Sequence, residues 1–241
     1  MQVSTTSSSA THLVVVCGHG TYRRSGDVWQ ESSWILQSFQ RSNAETSKPS
    51  EHLTFIQHIL CGASILDQDP KALLVFSGGC TQDQIPSTEA ESYSQAFSEL
   101  RNGKAQERTS CENLATDSYQ NLLFSVLQFR KVTGQYPQLI TVITHAFKER
   151  RFLESHGPAI RWPPRTIRTI GINPALTLAE LKQVQHGEHE NAFKHFVTDP
   201  YGVKPHLGDK RRKRGFQEED VLEYARHFND DVKSLLLWKG G

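Results

Sequence analysis

The 241-residue chain is short of most features that mark a specialised protein class. Its four cysteines, Cys17, Cys61, Cys80 and Cys111, stand far apart with no C-x-x-C pair. That spacing argues against a zinc ribbon or a disulfide framework and fits reduced thiols in a cytosolic protein. No apolar run approaches the roughly 20 residues a membrane span needs, so no contact with a membrane is expected. An excess of one charge is missing too: 27 Lys and Arg against 26 Asp and Glu leave +1, with no global pull toward nucleic acid or membrane. Partners must be argued from local sites. There is no Walker A sequence, which excludes an NTP motor of that type. His186-Gly187-Glu188-His189 is not H-E-x-x-H, and Val75 breaks G-x-S-x-G at Ser77, so neither a zinc protease nor a nucleophile elbow is read there.

Residues 1–11 are Ser/Thr-rich without the apolar core of a signal peptide or the arginines of a transit peptide, and read as a flexible tail. The length of 12–241 suits one α/β domain, with a C-terminal extension from about residue 174.

What the chain does have is a recurring strand that ends in glycine or a polar residue. Ala72-Leu73-Leu74-Val75-Phe76 is too short for a helix and reads as a strand buried on both faces, followed by Ser77-Gly78-Gly79-Cys80-Thr81. Gly78 and Gly79 permit positive φ and close approach, so their N–H groups are expected to face an anion beside the Ser77 and Thr81 hydroxyls. After Pro86, Thr88 and Glu91 form a T-x-x-E capping box for a helix carrying Ala90, Tyr93, Phe97 and Leu100. Leu13 to Cys17 is a second such strand, ending in Gly18-His19-Gly20-Thr21 and followed by Arg23. Arg23 stands where a dinucleotide fingerprint needs glycine, so the loop reads as a phosphate or carboxylate contact.

The remaining pattern follows suit. Residues 27–39 read as helical, as do Leu53 to Ala63. Glu107 to Glu112 holds a faint edge strand, and Asp117 with Gln120 caps a helix stopped by Gly134. Leu139 to Thr144 is a β-branched strand running into His145-Ala146-Phe147-Lys148-Glu149-Arg150-Arg151. Cations at a helix start oppose its dipole, so a shared anionic ligand is expected to hold them there. Thr166 to Ile170 is a last strand, residues 186–215 read as an added loop, and Glu218 to Trp238 as one final helix. Lys210-Arg211-Arg212-Lys213-Arg214 reads first as a solvated basic run, with nuclear targeting or a phosphate or RNA contact as the alternative.

The order of these motifs is similar to the DUF218 family, also called YdcF-like or SanA/ElyC-like. The resemblance rests on the strand into Gly18-His19-Gly20, on Phe76-Ser77-Gly78-Gly79 with Thr88-Glu89-Ala90, on Glu112 with Asp117 to Asn121, and on Ile143 to Arg151, and covers about residues 12–173. It implies a Rossmann-like three-layer α/β fold, a mostly parallel sheet with a polar pocket over the strand ends. It also implies a link to S-adenosylmethionine, since one relative is described as binding it. The bacterial members belong to envelope assembly; this chain departs from them in lacking an anchor, carrying His19 and adding a long tail, and resembles a soluble eukaryotic, fungal branch.

Beside an interaction scaffold that uses the run from Lys210 to Arg214, two functions follow. One is an enzyme acting on a phosphorylated or nucleotide-like small molecule by hydrolysis or group transfer. In it Gly18, Gly20, Arg23, Ser77, Gly78, Gly79, Thr81 and Arg151 hold the anion and His19 or His145 moves protons, while Glu89 and Asp117 orient water or bind Mg²⁺. The other is a binding module for S-adenosylmethionine or a nucleotide, without chemistry of its own. The sequence leaves oligomeric state and metal open.

Overall fold

The computed structural model describes residues 9–24, 26–81, 87–103 and 107–238. Residues 1–8 of the tail and Pro86 lie outside these. In chain order the elements are β1 (His12–Cys17), β2 (Thr21–Tyr22), β3 (Trp34–Ile35), α1 (His52–Gln68), β4 (Ala72–Ser77), α2 (Glu89–Leu100), β5 (Thr109–Glu112), α3 (Ser118–Thr133), β6 (Leu139–Thr144), α4 (Gly157–Ala159), β7 (Ile167–Gly171), α5 (Leu178–Glu188), α6 (Lys194–Thr198), α7 (Pro205–Lys213), α8 (Glu218–Ala225) and α9 (Asp230–Leu236). π-Helical turns precede α4 (Arg151–His156) and α6 (His189–Phe193).

Five strands form a parallel sheet in the order β5-β4-β1-β6-β7, with Val14 opposite both Leu74 and Thr141. Alternate residues feed opposite faces. Val14, Val16, Leu74, Phe76 and Ile143 pack against α1 and α2 through Phe55, Ile56, Ile59, Tyr93 and Phe97. Leu13, Val15, Leu73, Val75 and Val142 pack against α3 through Leu122, Val126 and Phe129. All six residues of β1 and β4 are buried, because helices cover both faces. This is the Rossmann-like three-layer α/β sandwich. The chain moves outward from β1 through β4 to β5, then returns to place β6 on the other side of β1. Ligands of such sheets sit at that reversal, over the carboxyl ends of the strands.

Local chemistry sets the helix ends. Thr88 accepts from the Glu91 amide at 3.0 Å, Thr177 from that of Glu180 at 3.3 Å, and Gly134 stops α3 at φ +79°. Three expectations are corrected. Residues 27–39 are not one helix: Trp34 donates its indole N–H to the Val28 carbonyl at 2.8 Å and meets Tyr22 tilted and Phe55 and Tyr93 edge-on, holding β3 extended against β2. Residues 186–215 are helical rather than a loop, since Phe193 is buried, Phe196 and Leu207 pack onto the outer face of α3, and Pro205 sits at the helix start that tolerates it. The final helix is two, because the Asn229 side chain accepts from the Val232 amide and starts α9 afresh.

A polar clasp ties three of these elements together. Ser77 donates to Glu112 at 2.5 Å, and Asn121 of α3 donates to both the Ser77 hydroxyl and its carbonyl, at 2.9 and 3.1 Å. The other Glu112 oxygen accepts from the Leu114 and Ala115 amides at 2.6 and 3.0 Å. Burial pushes the Glu112 carboxyl up to about 7 against an ordinary 4.5. The folded state then holds a proton that the unfolded chain has lost between those values, so this stabilising contribution is complete below 4.5 and disappears as pH rises through about 7. Glu112→Gln keeps the shape without the titration. Urea denaturation is expected to show the variant gaining on the parent between pH 4.5 and 7, by up to about 1.4 kcal/mol per pH unit. A difference independent of pH would remove Glu112 as the titrating group.

Candidate functional site

The strand reversal brings His19, after β1, onto His145, after β6. Their rings stack with centroids 4.3 Å apart and planes 15° apart, and Phe147 stacks on His145 at 4.9 Å. His58 of α1 meets both edge-on, at 5.7 and 5.1 Å. The Ile172 carbonyl accepts from His58 at 2.9 Å and lies 3.3 Å from Nδ1 of His145. Burial, then the Lys148 charge, holds His19 and His145 well below the usual imidazole range, and burial takes His58 down to about 4. All three rings are therefore neutral near pH 7. Lys148 donates from Nζ to His19 Nδ1 at 3.2 Å, which leaves Nε2 to donate to Thr144 Oγ1, also at 3.2 Å. Burial, reinforced by Arg151, lowers the Lys148 ammonium to about 7.

The glycine loops do not form the anion cradle expected of them. The amides of Gly18, Gly78 and Gly79 donate to the carbonyls of Ser77, Glu112 and Ala115, at 2.8, 3.0 and 2.7 Å. At the start of α2 the Glu89 and Ala90 amides are likewise taken, by the carbonyls of Gly79 and Gly78. What the missing side chains admit is Glu89. A Cβ on Gly18 would stand 2.6 Å from the Glu89 carboxylate, and one on Gly78, at φ +156°, 2.8 Å from it. Glu89 accepts from Thr81 at 2.7 Å, and burial raises its carboxyl. Gly20 is a packing position, where a Cβ would touch the Phe55 ring at 3.0 Å. Ser77 is wholly buried in the clasp. Arg23 is exposed and outside the cavity, because Tyr22, anchored to Glu99 at 2.6 Å, turns the chain away. A backbone-first cradle for an adenosyl group therefore does not fit Gly18, Gly78 and Gly79.

Above the strand ends lies a cavity of about 980 Å³ that takes in Gly18, His19, Thr81, Glu89, Asp117, His145 and Arg151 of the expected set. Asp117 caps α3 by accepting from the Gln120 amide at 2.9 Å, and its other oxygen is held at 2.5 Å by Arg211. Among the described residues no cluster of three or more His, Cys, Asp or Glu side chains converges to hold a metal. Arg151 pairs with Glu188 at 2.7 Å and donates to Ser118 at 3.1 Å.

The basic run corrects a further expectation. It lies in α7 and just beyond, where Arg211 is buried and Lys210, Lys213 and Arg214 line the cavity. Of the lining carboxylates, Glu51, Asp117 and Glu188 have ion-pair partners in Lys48, Arg211 and Arg151. Among the described residues Lys148, Lys210, Lys213 and Arg214 have none. The sequence reading set Lys148 among cations held by an anionic ligand and gave a phosphate contact as the alternative for the Lys210–Arg214 run, but it named none of these, nor Ser118, as a site residue. The i, i+3, i+4 spacing of 210, 213 and 214 was the available signal for one helical face.

Fold and site together define a Rossmann-like α/β protein with a cation-lined cavity at its strand reversal. It is similar to Uncharacterized protein YOR238W of Saccharomyces cerevisiae: 28% identical over 229 residues, covering 75% of this chain and 73% of the relative. No protein-family model matches the chain, and no solved structure does. Among the described residues no helix is long and apolar enough to cross a membrane.

Lys148 supplies a stability test. Between about 7 and its ordinary 10.5 the unfolded chain binds a proton that the folded one does not, so the stability of the fold rises with pH across that window. Lys148→Met is expected to be more stable than the parent at pH 6, with the advantage shrinking toward pH 9 in urea titrations. An equal advantage at both would mean that Lys148 is not desolvated.

Proposed function

We propose that this chain is a DUF218-like enzyme that binds a phosphorylated or nucleotide-like small molecule over the strand ends and hydrolyses it or transfers a group from it. One observation carries the reading: four cations without ion-pair partners converge on a cavity that also holds two stacked neutral imidazoles. Cations gathered at one wall repel one another, and an anionic ligand relieves that repulsion. Side chains, rather than glycine amides, hold the phosphate oxygens. With its ordinary affinity for protons lowered to about 7, Lys148 binds an anion when charged and can pass a proton to a leaving group. As Lys148 turns to the ligand, Nδ1 of His19 loses its donor and becomes free to take a proton from water or an acceptor hydroxyl. The cavity is at the upper end of the volume range of small-molecule sites, room for a nucleotide and more. Phe39 and Phe147 in its lining offer faces to a flat group.

The test is a thermal-shift series with pyrophosphate, nucleotides, sugar phosphates and S-adenosylmethionine, with and without Mg²⁺. A ligand at about 100 times its dissociation constant adds about 2.7 kcal/mol, a rise of about 5–10 °C for a chain of this size. The rise is expected for phosphorylated compounds and lost in Arg214→Ala combined with Lys148→Met. Binding to the parent should weaken as pH rises through about 7, where Lys148 loses its charge, more steeply than binding to Lys148→Met. A response to S-adenosylmethionine alone would support the non-catalytic module instead, and no response to any phosphorylated compound would end the proposal.

A further inference from the structure

The cavity holds a second reactive group that neither histidine explains. Ser118, the first residue of α3, lines it, with its Oγ 2.8 Å from Nε2 of His156 and 3.1 Å from the guanidinium of Arg151. Arginine has only donors to give, so Arg151 occupies a lone pair of the hydroxyl oxygen. With Arg151 on one lone pair, the Ser118 hydroxyl can donate to His156 Nε2 in the tautomer that carries the imidazole proton on Nδ1. That ring is wholly buried. Phe196, Phe152 and Tyr119 meet it edge-on with centroids 4.5, 5.3 and 6.0 Å away. Its Nδ1 has no hydrogen-bond partner, so packing does the orienting that a third side chain does in a triad. Desolvation, then the charge of Arg151, lowers His156 to about 3 and keeps the ring neutral, as a base must be before it acts; the charge of Asp117 opposes them and that of Arg211 adds to them.

We propose that Ser118 is a nucleophile activated by His156, and that turnover in this cavity passes through a covalent phosphoserine. The proposal rests on the phosphorylated-ligand reading above. In the first step Ser118 Oγ bonds to phosphorus as the bond to the leaving oxygen breaks. The serine proton moves to His156 Nε2 and from there to the leaving oxygen. In the second step water attacks phosphorus, gives its proton to His156, and serine leaves with that proton. No oxidant or further reactant is needed. Arg151 and the amino end of a 16-residue helix both favour negative charge on the serine oxygen.

The test uses the full chain and diisopropyl fluorophosphate, which forms a serine–phosphorus bond with loss of fluoride and needs no knowledge of the substrate. The expected result is one adduct, mapped by peptide mass spectrometry to Ser118 and absent in Ser118→Ala. In His156→Gln it should form about 100-fold more slowly, the contribution of a positioned base. No adduct at Ser118, or equal rates in parent and His156→Gln, overturns the proposal. If His156→Gln is unfolded by circular dichroism, Ser118→Cys replaces it. Its thiol should be alkylated by iodoacetamide at pH 7 about 10-fold faster than N-acetylcysteine, as a depressed thiol pKa demands; an equal or slower rate overturns the proposal. Pyrophosphate thermal shifts separate the two readings. A shift retained in parent and Ser118→Ala without a Ser118 adduct removes the dyad and leaves the anion cavity. A His156-dependent adduct without any shift leaves the dyad and removes the phosphorylated ligand.

Discussion

The carboxylate of Glu89, seated over two strand ends that carry no side chain, is the constraint from which the site takes its form. Gly18 and Gly78 leave the space, and any Cβ there would collide with it. With Glu89 in place the strand-end amides are satisfied by neighbouring carbonyls, as buried N–H groups must be. The glycines are thus structural, and the polar chemistry is pushed outward to side chains. His19 and His145 become the inner boundary of a cavity whose outer wall comes from the end of the chain.

That outer wall depends on α3. The helix is buried on two faces, toward the sheet through Leu122, Val126 and Phe129 and toward the tail through Tyr119, Leu123, Phe124 and Leu127. A helix apolar nearly all round needs cover on both sides, and α6 to α8 supply it. Arg211 makes the attachment specific. Its ion pair with Asp117 is buried, and a buried charge left alone is far costlier than one that is paired. With Arg211 docked, Lys210, Lys213 and Arg214 line the cavity, so the same five-residue run gives one locking cation and three at the cavity wall.

Much of the frame was legible because it rests on period and punctuation. The apolar runs at Leu13 and Leu73, the box at Thr88 and the stop at Gly134 each carry a local physical signature that tertiary contacts did not override. The faint strand at Glu112 was real, closing the sheet edge beside β4. The site was less legible, for a reason particular to each residue. Gly78 has the same sequence appearance whether its amide meets a phosphate or a carbonyl. Asp117 was readable as a cap, but its partner lies 94 positions away. Ser118 and His156, 38 positions apart, gave no motif at all. Residues 27–39 misled because one indole, Trp34, outweighs helical spacing when it finds a core to enter.

The division of labour along the chain has a temporal consequence. Every strand of the sheet has been made once Gly171 is reached, whereas Lys210, Lys213 and Arg214 follow some forty residues later. A nascent chain leaving the ribosome can therefore assemble its scaffold and the stacked imidazoles while the site still lacks the cations of its outer wall. The cavity therefore gains its cationic wall only when α7 docks, a step separate from the folding of the sheet.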